Sequence, residues 1–383
     1  MSHNKNQRQN VLKDFNYFNI RLNEYLNNLE KKMSDHFFYN IYIKDCIKES
    51  LLDLTRDSLN AKAKRIRPLL CSWIFRNHIL VHDFSLEYAE LEKKEKLSLN
   101  KCLNVLFCIE ILHCASLIID DIEDGSLERR GQQTLYLQYG IPNTLNTGTW
   151  MYFLAIKTLP KSLHTIAVNT LYDCHIGQAL DLSNNNPKFI ESLFFGSSEH
   201  RWEYYKKCAE LKTARLLQFS IDCLEQMLKI DKKTTIALKK LFMFYGLSFQ
   251  MFDDIKNILP DISGHKSYED LNSGLRSSIS LTFLDLLSQQ EKREAYNEFL
   301  NSKYSEFILS HNLYKYCLRE CYNSAQNYLD QSSLLLDEIS CNADSREYIH
   351  FILENPIENI RRSIANLLSE PQLNFNELQS SIL

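Results

Sequence analysis

The chain has 383 residues, of which 44% are hydrophobic and 24% are charged, and its formal net charge at pH 7 is -4. This length allows one large domain or two, and the nearly neutral charge balance excludes broad electrostatic binding to nucleic acid. Only 9 Gly and 7 Pro are present, whereas folds rich in β-sheet need many tight turns. The composition therefore favours long helices.

The first residues, MSHNKNQRQNVLKDFNYF, contain no apolar stretch followed by small residues, so we expect no secretory signal. No uncharged apolar stretch approaches the roughly 18 residues that span a bilayer, so no integral membrane segment is predicted. The 11 cysteines are scattered and include no C-x-x-C pair, which is typical of reduced, packed thiols. Together these features predict a cytoplasmic protein.

Apolar residues recur at helical spacing along almost the whole chain, beginning with Leu12, Phe15, Phe18, Leu22, Leu26 and Leu29. Similar stripes run through 47–59, 66–81, 99–120, 147–158, 164–182, 203–228, 233–258, 277–288 and 311–337. The alternation that is typical of strands is nearly absent. The sequence therefore predicts an all-α fold of helices packed on one another.

Few segments interrupt the predicted helices. An Asn-rich stretch over 1–10 predicts a disordered tail, and charged or Asn-rich segments near 82–100 and 183–200 predict insertions between helices. A further loop is predicted over 259–278. None of these segments has the composition of a flexible interdomain linker, so we expect residues 1–383 to form a single domain.

Four carboxylates follow an apolar run in SLIIDDIEDGSLERRG, residues 116–131. Asp120 and Asp124 are four residues apart, so on a helix they project from one face, with Asp121 beside them. Like charges at this spacing repel each other, and a divalent cation removes the conflict. Carboxylate oxygens suit Mg²⁺, which takes one or two carboxylates together with phosphate oxygens and waters.

A second acidic pair, Asp253 and Asp254, follows the apolar run in LSFQMFDDIKNILP, and Asn257 offers a neutral oxygen ligand one turn later. One such cluster is also typical of a solvated helix end, but two in one all-α chain are a stronger signal. If helices 99–124 and 233–257 face each other, their aspartates surround a cavity and hold Mg²⁺ against a diphosphate. The apolar residues behind each pair then line a tunnel that suits a hydrocarbon tail.

Basic side chains accompany the first acidic cluster. Lys64 and Arg67, in AKRIRPLL, are one turn apart and can bind a phosphate from one helical face. Arg129 and Arg130 follow the aspartates, and planar guanidinium groups suit diphosphate oxygens. His113 lies two helical turns before the first aspartate. Each of these residues alone is more typical of a surface charge or a core histidine, but their order and spacing favour a diphosphate site.

The chain resembles the trans-isoprenyl diphosphate synthases, and among them the geranylgeranyl diphosphate synthases of the eukaryotic type. The motifs that carry the resemblance are KRIRP (64–68), LHCASLIIDDIEDGSLERRG (112–131), YGIPNTLNTGTWMYFLA (139–155), HIGQALDL (175–182), YYKKCAELKTARLL (204–217) and FQMFDDIKN (249–257). The resemblance runs from about residue 55 to residue 330. It implies an isoprenoid synthase fold, a single-domain helical bundle around a central cavity. It also implies a homodimer that is at most loosely associated with membranes.

The resemblance assigns roles to individual residues. The two aspartate-rich motifs that hold Mg²⁺ match Asp120, Asp121, Asp124, Asp253, Asp254 and Asn257. The residues that contact the allylic diphosphate match Arg129, Lys212 and Gln250. The isopentenyl diphosphate pocket matches Lys64, Arg67, His113 and Arg130. The catalytic set implied in this way is Asp120, Asp121, Arg129, Lys212, Thr213, Gln250 and Asp253.

The implied reaction joins isopentenyl diphosphate head-to-tail to an allylic diphosphate. The allylic diphosphate ionises, the isopentenyl double bond attacks, and a proton is lost to the released diphosphate, which leaves a linear polyprenyl diphosphate. Ala115 and Ser116 are small, whereas the resemblance implies an aromatic residue there in synthases that stop at fifteen carbons. We therefore expect geranylgeranyl diphosphate or a longer product, with Phe107, Trp150 or Phe153 as alternatives for the floor of the tunnel.

The chain departs from the family pattern after the second acidic motif. The family has Gly-Lys there, and this chain has Gly274 followed by Leu275 and then Arg276. The family's lysine donates to the allylic diphosphate, so we expect Arg276, Lys266 or His265 to replace it.

This departure from the family pattern leaves two alternatives to chain elongation open. Terpene cyclases and other prenyl transferases derived from this fold keep the metal clusters but need no isopentenyl diphosphate. A regulatory subunit of a prenyl diphosphate synthase has weak activity of its own. The complete set of Lys64, Arg67, His113 and Arg130 favours chain elongation, and the intact acidic clusters argue against the regulatory subunit.

Overall fold

The computed structural model describes residues 2–36, 41–80, 83–84, 86–183, 186–259, 271 and 277–369. These residues are almost entirely helical, so the predicted all-α class is confirmed. The strands among them are β1 (Glu128–Arg129) and β2 (Gln132–Gln133), which form one short antiparallel hairpin.

The α-helices are, in chain order, α1 (Ser2–His36), α2 (Ile41–Ile47), α3 (Asp53–Asn60), α4 (Ile66–His78), α5 (Lys93–Glu123), α6 (Leu135–Tyr139), α7 (Ile141–Thr158), α8 (His164–Leu182), α9 (Pro187–Phe195), α10 (Ser198–Ala209), α11 (Arg215–Leu228), α12 (Lys232–Asn257), α13 (Ser278–Leu286), α14 (Gln289–Leu300), α15 (Tyr304–Ser310), α16 (Tyr314–Leu334), α17 (Ala343–Glu354) and α18 (Glu358–Ser369). Turns of π-helix lie at Lys48–Leu52 and Glu210–Ala214, and 3₁₀ turns at Lys161–Leu163 and Leu335–Glu338.

Two segments at the N-terminal side differ from the sequence predictions. Helix α1 begins at Ser2, so the segment for which composition predicts a disordered tail is helical from there onward. The insertion predicted near 82–100 is shorter, because α5 begins at Lys93. Glu92 and Glu95 form a capping box that satisfies the first amides of α5.

The insertion predicted near 183–200 contains α9 and the beginning of α10. The side chains of Asn186 and Ser197 accept hydrogen bonds from the first amides of these helices, at 3.1 and 3.3 Å. Buried Arg201 donates to the Leu193 carbonyl oxygen at 3.0 Å and also pairs with Asp285. Residues that sequence composition assigns to a loop are therefore helix caps in the folded chain.

Contacts within the chain divide it into two compact units. Unit 1 consists of the described residues within Met1–Asn169, Phe219–Ile236 and Ile339–Leu353. Unit 2 consists of those within Thr170–Gln218, Ala237–Glu338 and Glu354–Leu383.

The core of unit 1 is helix α5, which packs most extensively against α7. A Cβ atom at Gly148 of α7 would lie 2.7 Å from Cδ1 of Ile119, so a larger residue there would require the Ile119 side chain to shift. Among the described residues, α5 is also the helix that is long and apolar enough to cross a membrane. Most of its apolar stretch is buried inside the protein, as expected for a core helix.

A buried ion pair joins α1 to α4 in unit 1. Arg76 donates to the two carboxylate oxygens of Asp14 at 2.9 and 2.7 Å. The hydroxyl group of Tyr348 in α17 donates to the same carboxylate at 2.7 Å. Because these groups are buried, each depends on the other for compensation of its charge.

In unit 2, the π turn Glu210–Ala214 interrupts the α-helical ladder between α10 and α11. A Cβ atom at Gly177 would lie 2.7 Å from the Lys212 amide nitrogen, and one at Gly246 would lie 2.6 Å from Cβ of Ala214. Glycine at both positions therefore lets α8 and α12 approach the widened turn. Such π turns occur frequently at functional sites.

Candidate functional site

The first acidic cluster lies at the C-terminal end of α5 in unit 1. Asp120 is half-buried and Asp121 is buried, whereas Asp124 is exposed. Arg129 donates through Nε to Oδ1 of Asp121 at 2.6 Å, and through a terminal nitrogen to Oδ2 of Asp120 at 3.3 Å. A guanidinium group therefore compensates the crowded carboxylates.

The β1–β2 hairpin carries Arg129 back to these carboxylates. Its two central residues, Arg130 and Gly131, have φ values of 58° and 79°, as a type I′ turn requires. The Thr134 hydroxyl group anchors the hairpin by donating to the Ser126 carbonyl oxygen at 2.8 Å. The turn separates the two arginines, since Arg129 is half-buried against the carboxylates and Arg130 is exposed.

His113 lies on α5, two helical turns before Asp120, and is half-buried. Burial, together with nearby guanidinium groups, holds the pKa of His113 well below its usual range. The arginines that act on the imidazole are, in decreasing order, Arg67, Arg130, Arg129 and Arg65. These guanidinium groups include Arg67 and Arg130, two of the residues predicted for isopentenyl diphosphate. Lys64, which is also predicted for this pocket, is exposed.

Ala115 and Ser116, predicted to set the product length, differ in their surroundings. Ala115 is fully buried. Ser116 is half-buried, and its hydroxyl group donates to the His113 carbonyl oxygen at 2.8 Å. Ser116 is thus the more accessible of the two.

The three bulky alternatives for a tunnel floor also differ. Phe107 is buried against α1, with its ring centroid 5.8 Å from that of Phe18 and 5.2 Å from that of Tyr25. Phe153 is 67% exposed, so it lies at the surface rather than in a wall. Trp150 is half-buried.

The second acidic cluster lies at the end of α12 in unit 2. Asp254 is buried and accepts hydrogen bonds from the Tyr205 hydroxyl group at 2.7 Å, the Ser278 amide at 2.8 Å and the Gln250 side-chain amide at 3.2 Å. Burial raises the pKa of Asp254 to about 7, because these neutral donors only partly offset the loss of solvation. Asp253 is exposed and lies 3.6 Å from Lys256 Nζ.

The π turn places two more predicted residues in unit 2. Lys212 Nζ lies 2.6 Å from Oδ2 of Asp181. The hydroxyl group of Thr213 donates to Oε1 of Gln250 at 2.9 Å, and Gln250 donates in turn to Asp254. Thr213, Gln250 and Asp254 therefore form one hydrogen-bonded chain.

The donor chemistry of both clusters fits Mg²⁺. Each cluster offers hard oxygen ligands within one helical turn: Asp120, Asp121 and Asp124 in unit 1, and Asp253, Asp254 and Asn257 in unit 2. Across the described part of the chain, no group of three or more His, Cys, Asp or Glu residues converges closely enough to hold a metal by itself.

Some predicted residues lie outside the described part of the chain. Lys266 and Arg276, expected to bind the allylic diphosphate, are among them, and so is Gly274. Their roles remain predictions.

Sequence reasoning missed two donors to Asp254. Tyr205 precedes Asp254 by 49 residues, and the Ser278 amide follows it by 24, so no local spacing indicates either contact. Gln250, by contrast, precedes Asp254 by four residues, a spacing at which side chains on one helix meet.

The family model described as polyprenyl synthetase matches residues 48–316. This match covers most of the chain, so the protein belongs to the polyprenyl synthetase family, and the family predicted from the motifs is confirmed.

Two relatives illustrate the similarity in sequence. A geranylgeranyl diphosphate synthase of Saccharolobus solfataricus is 26% identical over 319 residues, which cover 78% of this chain and 88% of that protein. A geranylgeranyl pyrophosphate synthase of Penicillium janthinellum is 31% identical over 173 residues, which cover 43% of this chain and 44% of that protein. This chain thus spans slightly less than half the length of the Penicillium janthinellum relative.

Solved structures of low sequence identity share the fold. An octaprenyl pyrophosphate synthase from Helicobacter pylori matches with a TM-score of 0.63 and 16% identity, over 87% of this chain and 98% of that one. A polyprenyl synthase from Caulobacter crescentus, complexed with calcium and isoprenyl diphosphate, matches with a TM-score of 0.61 and 17% identity, over 91% and 97%. The expected isoprenoid synthase fold is confirmed.

The raised pKa of Asp254 predicts how stability depends on pH without metal. The pKa is raised in the folded state, so the native protein keeps a proton that the unfolded chain has lost. The stabilisation that the protonated Asp254 carboxyl group provides is complete below about pH 4 and is lost as the pH rises through about 7. We expect the free energy of unfolding, measured with urea in EDTA, to fall between pH 5 and pH 8. The fall should be about 2 to 3 kcal/mol larger for the wild type than for Asp254→Asn.

The Asn variant retains an oxygen that can accept from Tyr205 and Ser278, which makes it a matched control. Other titrating groups are common to both proteins and cancel in the comparison. Parallel pH profiles for the two proteins would show that Asp254 ionises normally in the folded state.

Proposed function

We propose that this protein is a Mg²⁺-dependent prenyltransferase that joins isopentenyl diphosphate head-to-tail to an allylic diphosphate. The product would be a linear polyprenyl diphosphate. The observation that carries the proposal is the arginine–aspartate cluster at the end of α5 in unit 1, where Arg129 Nε lies 2.6 Å from Oδ1 of Asp121. Carboxylates suit a diphosphate bound through a metal, whereas cations such as Arg67 and Arg130 suit one bound without metal.

In this proposal the metal ligands are those that the family resemblance implies: Asp120, Asp121, Asp124, Asp253, Asp254 and Asn257. When bound, Mg²⁺ neutralises charge on the departing diphosphate. The polyprenyl synthase of Caulobacter crescentus, complexed with calcium and isoprenyl diphosphate, supports a divalent cation here.

Arg129 and Lys212 would donate to the allylic diphosphate as its carbon–oxygen bond breaks. In the structure each is paired with aspartate, Arg129 with Asp120 and Asp121 and Lys212 with Asp181. Binding would then exchange one anionic partner for another, so neither cation loses its compensation. His113, kept neutral by its surroundings, would contribute a hydrogen bond rather than a charge.

One observation favours a second candidate function. A terpene synthase of Matsumurasca onukii is 31% identical over 172 residues, which cover 43% of this chain and 52% of that protein. A cyclase derived from the same fold would use the allylic diphosphate alone. Consumption of isopentenyl diphosphate therefore distinguishes the two functions.

The direct test incubates the protein with labelled isopentenyl diphosphate and, in turn, dimethylallyl, geranyl and farnesyl diphosphate. We expect incorporation of label that requires Mg²⁺. Asp120→Asn should lower the rate by about 100-fold or more, because it removes a ligand that stabilises the developing charge. Glu123→Gln, which changes an exposed carboxylate three residues away, should leave the rate nearly unchanged.

The other outcomes separate the alternatives. Cyclic hydrocarbon formed from the allylic substrate alone would favour the cyclase. No turnover with any substrate would favour a regulatory subunit.

We further propose that the product is geranylgeranyl diphosphate or longer, with Ser116 beside the growing tail. Ser116→Phe should then shorten the product, because an aromatic ring would occupy space that the tail needs. Chromatography of the dephosphorylated products measures the chain length. Leu97→Phe, at an exposed position on the same helix, is the matched control. An unchanged product from Ser116→Phe would place the limit elsewhere.

The homodimer implied by the family has a candidate surface on α7. Apolar residues recur at four- and eight-residue spacing, with Ile141 51%, Leu145 46% and Phe153 67% exposed, and Leu137 of α6 is 41% exposed. A row of exposed apolar residues is typical of an interaction surface. We propose that a second copy of this chain covers it, as in a symmetric pair.

Light scattering after size-exclusion chromatography tests the homodimer. The wild type should have the mass of a dimer, and Leu145→Asp with Phe153→Asp should have that of a monomer, because two charges would be buried on pairing. Leu97→Asp, at another exposed apolar position, should remain dimeric. A monomeric wild type would contradict the proposal.

A further inference from the structure

Arg65 has an unusual backbone conformation for its residue type. It precedes the first residue of α4 and has φ 50° and ψ 35°, in the left-handed region. This region favours glycine and asparagine, because other side chains crowd the following carbonyl group there. A residue held in such a conformation persists only where the surrounding structure determines it.

The hydrogen bonds of the Arg65 side chain hold the backbone in this conformation. The side chain is 5% exposed, and each of its three nitrogens donates one hydrogen bond, to a different helix. The acceptors are Glu110 in α5, the Leu59 carbonyl oxygen in α3, and Oδ1 of Asn19 in α1 at 3.3 Å. A lysine ammonium group is a single point and does not match three acceptors spread around a planar fork.

Glu110 depends on Arg65 in turn. The Glu110 side chain is 2% exposed, and an unpaired carboxylate is costly at that depth. The Cys114 thiol also lies 3.9 Å from Oε1 of Glu110, but it is only a weak donor. The charged partner of Glu110 among the described contacts is the Arg65 guanidinium group.

The pair lies at the segment that carries the predicted isopentenyl diphosphate ligands. Lys64 precedes Arg65 directly, and Arg67 follows it by two residues in the first turn of α4. On α5, His113 follows Glu110 by three residues, which is nearly one helical turn. One buried ion pair therefore joins the backbone segment that carries Lys64 and Arg67 to the helix that carries His113.

We infer that Arg65, fixed by Glu110, is a positioning residue that sets the directions of Lys64 and Arg67 for isopentenyl diphosphate. The inference rests on the proposed function. Arg65 does not itself touch the substrate, because its side chain is only 5% exposed and each of its nitrogens donates to a protein acceptor. Its effect is carried through the backbone between α3 and α4.

Two variants of Arg65 distinguish the effect of its backbone conformation from the effect of its side-chain hydrogen bonds. Arg65→Gly relaxes the left-handed conformation but removes the anchor, and Arg65→Lys keeps the charge but loses the fork. Both should raise the KM for isopentenyl diphosphate about tenfold or more, because small misplacement of binding groups is costly. The KM for the allylic diphosphate should stay within about twofold, since its ligands are held elsewhere. Glu110→Gln should act in the same direction.

Arg76→Lys is the matched control. It makes the same substitution in α4, at the other buried arginine–carboxylate pair of that helix, with Asp14. It should lower the melting temperature as the Arg65 variants do, while leaving the ratio of the two KM values unchanged. If the Arg65 and Glu110 variants change both KM values equally, or neither, the pair is only structural and the inference is wrong.

A second measurement does not depend on turnover. Hydrogen–deuterium exchange of the backbone over 61–67 should be faster in Arg65→Gly than in the wild type, and unchanged in Arg76→Lys. If the wild type consumes no isopentenyl diphosphate, the proposed function fails, and this exchange still tests the anchor. Equal exchange over 61–67 in the wild type and Arg65→Gly would overturn the inference.

Discussion

Crowded carboxylates must be compensated, and the two acidic clusters of this chain solve that problem differently. In unit 1, a type I′ turn returns the Arg129 guanidinium group to Asp120 and Asp121. In unit 2, neutral donors surround Asp254, but burial raises its pKa to about 7. A cation therefore compensates the carboxylates of one cluster, whereas burial favours the neutral form of Asp254 in the other. We propose that a bound divalent metal replaces this compensation in both clusters.

The need for charge compensation also explains why the cations contact aspartates in the structure. Arg129 and Lys212 each lie against aspartates, so both positive charges are oriented before any substrate binds. Groups oriented in advance stabilise developing charge without further reorganisation. We propose that the Arg65–Glu110 pair serves the same purpose for a second diphosphate, by fixing the segment that carries Lys64 and Arg67.

Local periodicity predicts the main helices and the arrangement of the first acidic cluster. The spacing of apolar residues predicted α5 and α12, and four-residue spacing predicted that Asp120 and Asp124 share a turn. Composition places Asn186 and Ser197 in a loop, because Asn and Ser favour helix caps and loops alike. The left-handed Arg65 could not be predicted either, because its conformation depends on Glu110, 45 residues away in α5.

We propose that this chain binds two diphosphates by different chemistry, one through metal on carboxylates and one directly on cations. Titration calorimetry of a non-ionising allylic thiolodiphosphate and of isopentenyl diphosphate, each with Mg²⁺ and with EDTA, tests it most directly. The allylic analogue should bind only with Mg²⁺, whereas isopentenyl diphosphate should bind in both conditions. Equal binding of the allylic analogue in EDTA, or no binding of isopentenyl diphosphate without metal, would contradict it.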